Sequence, residues 1–189
     1  LLTMAYDLKN VFYLDTSATI TASATDNLVG SAQLDLSAYI DPIARGRQKG
    51  TGLAVYKVHW SIMDSNGKPC KPAEDGIVGM SLQAGAGLGD NASGTAFQYT
   101  TSLSANTNNL LVAGAEYYGM AAGPGANVLM TYCEPSEKVP YVIVRDNVCL
   151  TYGTQEGFEA DAVISCRMEC AIVTLDQATL NQLLRTQTV

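Results

Sequence analysis

The feature that most constrains this chain is an alternation of apolar and polar residues with a period of two. The segment SAQLDLSAYI (31–40) places alanine, leucine or isoleucine at every second position. The segment GLAVYKVHWSIMD (52–64) alternates in a similar way and is followed by the turn-forming residues SNG (65–67). Because successive side chains of a β-strand point to opposite faces, this period predicts half-buried strands, the second of which ends in a hairpin-type turn.

Strand-like segments follow one another along most of the chain. The further candidates are 11–25, the start of 76–94, 95–104, 109–120, 126–134, 139–153 and 160–175, of which 109–120 also suits a short helix. Eight to ten strands without βαβ alternation predict an all-β fold, an antiparallel β-sandwich of jelly-roll or immunoglobulin-like type. No cysteine precedes Trp60, which disfavours the immunoglobulin-like option.

Two local patterns interrupt the series of strands. Within 139–153, the residues RDN (145–147) predict a bend or bulge. Near the end of the chain, Thr174 and Gln177 form a capping-box pattern, and leucines on one helical face follow. This pattern predicts a short C-terminal helix over 175–186.

Length and composition indicate one domain with an extensive interface. The 189 residues suit a single β-sandwich domain covering 1–189, in which 1–30 forms an N-terminal extension or the first strands. Charged residues make up 15% of the chain, whereas about 25% is typical of globular proteins. Ten tyrosines stand against three phenylalanines and one tryptophan, and tyrosine is enriched at interfaces. The composition favours a surface covered by other chains over that of an ordinary soluble β-protein.

The net charge of −7 argues against sequence-specific binding of nucleic acid. The local exception is DPIARGRQKGTG, in which Arg45, Arg47 and Lys49 lie within five positions. The surrounding glycines predict an exposed loop or strand edge. This basic cluster is a candidate contact with a neighbouring subunit, a lipid headgroup or the genome; a solvated loop is the alternative.

His59 is the only histidine of the chain, so a Ser–His–Asp site would need it as the base. Alternation divides its strand into a more polar face and a core face. The more polar face holds Val55, Lys57, His59, Ser61 and Met63. The core face holds Tyr56, Val58, Trp60 and Ile62. A histidine on the polar face of a strand is usually a surface or interface residue, and no G-x-S-x-G motif accompanies this one. The sequence therefore predicts no catalytic residue and a protein that is not an enzyme.

The sequence also predicts no metal site and no cofactor. Five cysteines occur without C-x-x-C spacing. Cys166 and Cys170 are expected to share a strand face beside Met168 as small buried apolar residues. The glycine-rich segment GAGLGD (85–90) lacks the G-x-G-x-x-G order of a nucleotide-binding loop. A hydrolase that uses two of the eighteen acidic residues remains the enzymatic alternative.

The order of these segments resembles that of the single jelly-roll capsid proteins of icosahedral viruses. The resemblance is carried by SAQLDLSAYI, GLAVYKVHWSIMDSNG, VPYVIVRDNVCLTYG and VISCRMECAIVTLDQATLNQLL, and it covers 31–186 as a pattern. It implies a structural protein of the virion that assembles from many copies in the host cytoplasm. Many capsid proteins carry a basic terminal arm, whereas Lys9 is the only basic residue here before Arg45. The resemblance therefore implies a shell around an internal lipid membrane, or one in which a second capsid protein holds the genome.

A β-sandwich binding module is the second function that suits the sequence. Such a module binds carbohydrate or forms an appendage of a surface or tail. In either function the glycine-rich loops at 85–94 and 119–126, which are low in charge, are expected to form exposed tips or contacts between subunits.

Overall fold

A computed structural model describes residues 10–22, 28–41, 49–67, 70, 76–85, 108–119, 127–155 and 157–187. Nine β-strands and one α-helix form within these ranges. They are β1 (Phe12–Ile20), β2 (Val29–Asp35), β3 (Lys49–Asp64), β4 (Gly76–Ala84), β5 (Leu111–Gly119), β6 (Val128–Tyr132), β7 (Tyr141–Ile143), β8 (Asn147–Thr154), β9 (Ala162–Asp176) and α1 (Gln177–Thr186).

The strands form two antiparallel sheets. Sheet A has the order β1-β9-β3-β7, and sheet B has the order β2-β8-β4-β5-β6. The pairing is nested: β1 pairs with β9, β2 with β8, β3 with β7 and β4 with β5. This order of pairs arises when a long antiparallel hairpin is rolled over itself, and it is the order of a jelly roll. Strand β6 is an additional strand at the edge of sheet B. The predicted all-β sandwich of jelly-roll type with a C-terminal helix is confirmed.

The hydrophobic core lies between the two sheets. Strand β9 shows how the period of two builds it, because every second residue from Ala162 to Cys170 is buried and the residues between them are more exposed. The predicted packing of Cys166 and Cys170 on one face beside Met168 is confirmed, since all three belong to the core. Each large apolar side chain that is fully buried contributes about 1.5–3 kcal/mol to stability.

Strand β3 confirms one part of the predicted division of faces and contradicts another. Val58 is buried in the core and His59 is exposed on the outer face, as predicted. Val55, however, lies in the core, and Tyr56 lies in a small separate cluster on the outer face, which reverses the prediction. The β3–β9 register shifts between Val55 and Lys57. Tyr56 is therefore the extra residue of a β-bulge, and the bulge exchanges the faces of the residues that precede it.

The connections between strands correct one further expectation and decide an alternative that the sequence left open. The turn after β3 is present, with the N–H of Gly67 donating to the carbonyl of Asp64 at 3.0 Å, but β4 lies in the other sheet and no hairpin forms. Within 109–120, which suited a strand or a helix, Leu111–Gly119 form strand β5. The predicted bend lies between β7 and β8, as expected.

Several predicted segments lie wholly or largely outside the residues that the structure describes. The strand at 95–104 lies outside the described residues. So do the loops at 85–94 and 119–126, apart from Gly85 and Gly119 at their first positions.

The helix begins at Gln177 rather than at residue 175, because β9 continues to Asp176. Thr174 pairs with Thr51 of β3 and is not the N-cap. The cap is Asp176, whose carboxylate accepts the N–H of Thr179 at 2.7 Å. This hydrogen bond holds the pKa of Asp176 below its ordinary value of 3.8. No helix in the described part of the chain is long and apolar enough to cross a membrane.

Helix α1 packs back onto its own sandwich. Leu180 is fully buried and lies so close to Gly50 of β3 that a Cβ at Gly50 would be 2.6 Å from Leu180 Cδ2. Beyond the helix, the buried Gln187 accepts the N–H of Val144 with Oε1 at 3.1 Å and donates from Nε2 to the carbonyl of Val142 at 2.6 Å. Its side-chain amide therefore supplies hydrogen bonds to the chain at and just beyond β7, on the edge of sheet A.

Candidate functional site

The outer face of sheet A carries an ordered array of polar side chains on β1, β9 and β3. The register places one residue from each strand side by side in each row. Taken in the order β1, β9, β3, the rows are Tyr13–Glu169–Lys57, Asp15–Arg167–His59 and Ser17–Ser165–Ser61. Side chains in such rows lie within contact distance of their neighbours, so this face brings distant parts of the chain together.

Asp15 and Arg167 form a two-point ion pair in the middle row. Arg167 Nε lies 2.7 Å from Asp15 Oδ1, and Nη2 lies 3.4 Å from Oδ2. The guanidinium carbon also lies 5.6 Å from the ring centre of Tyr13. The hydrogen bond to Asp15 raises the pKa of Arg167 above its ordinary value. Both charged side chains are more than half exposed, so the pair contributes little stability and mainly fixes the orientation of the guanidinium.

His59 is paired with a carboxylate on this face. Its Nε2 lies 2.7 Å from Glu169 Oε1, and the two side chains are 46% and 29% exposed, respectively. Within the part of the chain that the structure describes, no hydrogen bond joins His59 to a serine. The arrangement is a surface His–Glu pair, in agreement with the predicted polar face, and it does not bring a nucleophile onto the imidazole.

An open groove of about 660 Å³ lies over these rows. Its lining includes all three serines of the last row together with Tyr13, Asp15, His59, Arg167 and Glu169. None of the three serine hydroxyls is hydrogen-bonded to another described residue. The alternation did not predict this groove, because it forms only when three strands that are distant in sequence lie side by side.

A second cluster of polar and aromatic residues lies at the outer edge of sheet B. Tyr118 and Tyr132 both donate their hydroxyls to Glu116 Oε2, at 2.5 and 2.8 Å. The hydrogen bond to Glu116 raises the pKa of both phenols. Val128 and Met130 on the same side of edge strand β6 are 46% and 45% exposed. We call these five residues the edge patch; the tyrosine bias of the composition was its only signal in the sequence.

The predicted basic contact cluster is only partly placed. Lys49 is exposed at the first position of β3, opposite Asp176 of β9. Arg45 and Arg47 lie outside the described residues.

The described residues contain neither a candidate metal cluster nor a disulfide bond. Within the described ranges, no group of three or more His, Cys, Asp or Glu residues could hold a metal ion. None of the five cysteines forms a disulfide bond, and four of them are buried. The pair, groove and patch are arrangements suited to binding and contact.

Comparisons with known proteins give structural neighbours but no sequence relatives. No family model and no curated protein matches the chain. Three similar solved structures are those of Human Polyomavirus 12 VP1 in complex with 3'-sialyllactosamine, apo New Jersey Polyomavirus VP1 and Turnip Yellow Mosaic Virus. Their TM-scores are 0.42, 0.38 and 0.31, at 7%, 5% and 12% sequence identity. The alignments cover 88%, 89% and 89% of this chain and 100%, 100% and 99% of the neighbours.

These neighbours are viral capsid proteins, which are structural proteins. The strand order of the two sheets is the jelly-roll order that the predicted resemblance implied. The class that this strand order defines is a jelly-roll β-sandwich.

Proposed function

We propose that this chain is a structural capsid protein that assembles, in many copies, into a closed icosahedral shell. The observation that carries the proposal is the edge patch. Val128 and Met130 expose apolar surface on β6, and among the described residues β6 pairs only with β5. An edge strand with unpaired backbone groups and apolar side chains is a surface on which another chain can pack.

The composition supports the same function. With charged residues at 15% and ten tyrosines, the chain has the surface of a protein that buries much of itself against copies of itself. Contacts repeated by rotation about symmetry axes close into a ring or shell, so that many weak interfaces together stabilise one particle. The protein would then be located in the virion.

Size-exclusion chromatography with light scattering tests the proposal directly. The expected result is a mass many times that of the 20.0 kDa monomer, with closed particles in electron micrographs. A monomer that persists at high protein concentration, in buffers of both low and high salt, would contradict the proposal.

Assembly is proposed to involve the basic cluster as well. Lys49 is exposed at the start of β3, and Arg45 and Arg47 precede it in the sequence. Replacing all three by glutamate should prevent assembly, or prevent binding of the shell to anionic lipid vesicles, because the cluster would contact a carboxylate, a headgroup or the genome. Lys138→Glu, at an exposed position in the β6–β7 connection, is the matched control. Unchanged assembly and unchanged vesicle binding of the triple variant would remove this role.

The whole chain, 1–189, is proposed to fold as one domain. One core cluster contains residues from β1, β3, β4, β5, β7, β8 and β9, so the described strands of both sheets depend on the same buried surface. A single cooperative unfolding transition, seen identically by circular dichroism and tryptophan fluorescence, is the expected result. Two separated transitions would show that the chain contains independently folding parts.

A further inference from the structure

We propose that the groove on the outer face of sheet A binds a neutral saccharide. The proposal goes beyond the capsid function and does not depend on it. It assigns a ligand class to a site formed by β1, β9 and β3, and it rests on the shape, the hydrogen-bonding groups and the charge balance of that site.

The shape is that of a trough whose floor is one row of small side chains. Ser17, Ser165 and Ser61 lie next to one another across three strands. The row before them holds Asp15, Arg167 and His59, and the row after them holds Thr19, Val163 and Met63. Two inter-strand spacings make the row about 10 Å wide between its outer strands. A volume of about 660 Å³ is within the range of pockets that hold small organic ligands, roughly 300–1,000 Å³.

The site offers both hydrogen-bond donors and hydrogen-bond acceptors, as sugar hydroxyls require. Each serine hydroxyl donates one hydrogen bond and accepts two, and the three hydroxyls have no partner among the described residues. Arg167 has five N–H donors, of which those on Nε and Nη2 face Asp15. Tyr13 lines the groove and is 59% exposed. The Arg167 guanidinium lies over its ring, and the uncovered part of the ring offers an aromatic surface to the apolar C–H face of a sugar.

The charges of the site favour a neutral ligand over an ionic one. Asp15 neutralises Arg167, and Glu169 lies against His59. Lys57 stands beside Glu169 in the first row. An anionic or cationic ligand would have to break an existing pair, whereas a hydroxylated neutral ligand can bind the free lone pairs and N–H groups without doing so.

A saccharide fits the groove better than a protein surface does. Charged residues are depleted at the centres of protein interfaces. Here Asp15, His59, Arg167 and Glu169 all line the groove, and the only aromatic side chain that points to this outer face from its described lining is that of Tyr13.

Saturation-transfer difference NMR tests the inference. The method detects the signals of the small ligand, so it works whether the protein is a monomer or an assembled particle. The probes are lactose, maltose and cellobiose, with a sulfated disaccharide as the charged comparison. We expect saturation transfer to at least one neutral disaccharide, and at least a tenfold weaker affinity in Ser165→Val, whose methyl groups fill the floor. Ser31→Val, at an exposed position on β2, should bind as the unmodified chain does.

The outcomes that would overturn the inference are distinct. They are no transfer to any neutral probe, tighter binding of the sulfated probe, or equal binding by Ser165→Val and the unmodified chain. Ser61→Val serves as a second floor variant if circular dichroism shows that Ser165→Val is not folded. Self-association that Ser165→Val abolishes, without saccharide binding, would assign the groove to a second copy of the chain and overturn the proposal. Light scattering of the same samples reports on shell assembly separately.

Discussion

His59 Nε2 lies 2.7 Å from Glu169 Oε1, across the pairing of β3 with β9. The two residues are diagonal neighbours, because His59 stands opposite Arg167 and Glu169 is two positions further along β9. The chain's only histidine is therefore part of a surface array, with Lys57 and Arg167 also close on the same face. Its position explains why an isolated histidine need not indicate a catalytic site.

The His59–Glu169 pair is expected to contribute little to folding. A double-mutant cycle with His59→Ala and Glu169→Gln should give a coupling free energy below about 1 kcal/mol at neutral pH, since exposed ion pairs are screened by water and salt. Urea denaturation of the four proteins measures it. A coupling above about 2 kcal/mol would mean that water is excluded from the pair in the protein as purified.

Strand β9 offers a matched pair of isoleucines for testing where the core ends. Ile164 is fully buried and Ile172 is 48% exposed. Ile164→Ala should lower the free energy of unfolding by about 2–5 kcal/mol, because it leaves a cavity between the sheets, whereas Ile172→Ala should change it by less than about 1 kcal/mol. Chemical denaturation measures both. If both variants lower the free energy of unfolding by a similar amount, Ile172 must also be packed in a core, beside the last third of β9.

Alternation predicted the strands well because it reports which residues are buried, and Val58 and His59 are on the faces it assigned. The alternation failed at Val55 and Tyr56 because of one extra residue, a β-bulge. The bulge moves the residues before it to the opposite face of the sheet, and nothing in the residue types signals this change. The capping-box pattern failed at the start of α1. Thr174 matches a capping box, but its pairing with Thr51 keeps it in the sheet. Long-range pairing decided both cases, and it also creates the groove.

Gln187 provides a prediction about the end of the chain. Replacing it by leucine should leave the N–H of Val144 and the carbonyl of Val142 without their side-chain partners, at a cost of about 1–3 kcal/mol. Hydrogen exchange at the Val144 amide should become faster than in the unmodified chain. Asn181→Leu, at an exposed position of α1, controls for the added apolar surface. Unchanged exchange at Val144 would show that its protection does not depend on Gln187.

The cysteines should differ sharply in reactivity. Burial raises the pKa of Cys166 and Cys170 to about 12 and that of Cys70 to about 11, so these thiols stay protonated, and Cys149 is also fully buried. At pH 8 the thiolate is the reactive form. Cys133, which is exposed, should therefore be alkylated by iodoacetamide first and alone.

Mass spectrometry after timed labelling identifies the modified thiols, and the same labelling in urea should reach all five cysteines. Cys133→Ser is the control, and it should take up no label under native conditions. Rapid native labelling of Cys166 or Cys170 would mean that β9 opens often enough to expose the core.

The edge patch leads to the prediction that bears most directly on assembly. Met130→Lys places a charge among Val128, Tyr118 and Tyr132 and removes exposed apolar surface. If this patch contacts a second copy, the variant should stay folded and its particles should be replaced by smaller species. The contact would lose apolar surface, and it would have to desolvate the new ammonium together with Glu116, which lies opposite position 130. Light scattering reports the mass, and circular dichroism confirms the fold. Thr131→Lys, exposed on the same strand, adds the same charge on the other face and should assemble normally. Particles of unchanged size from Met130→Lys would place the contacts between subunits elsewhere on the sandwich.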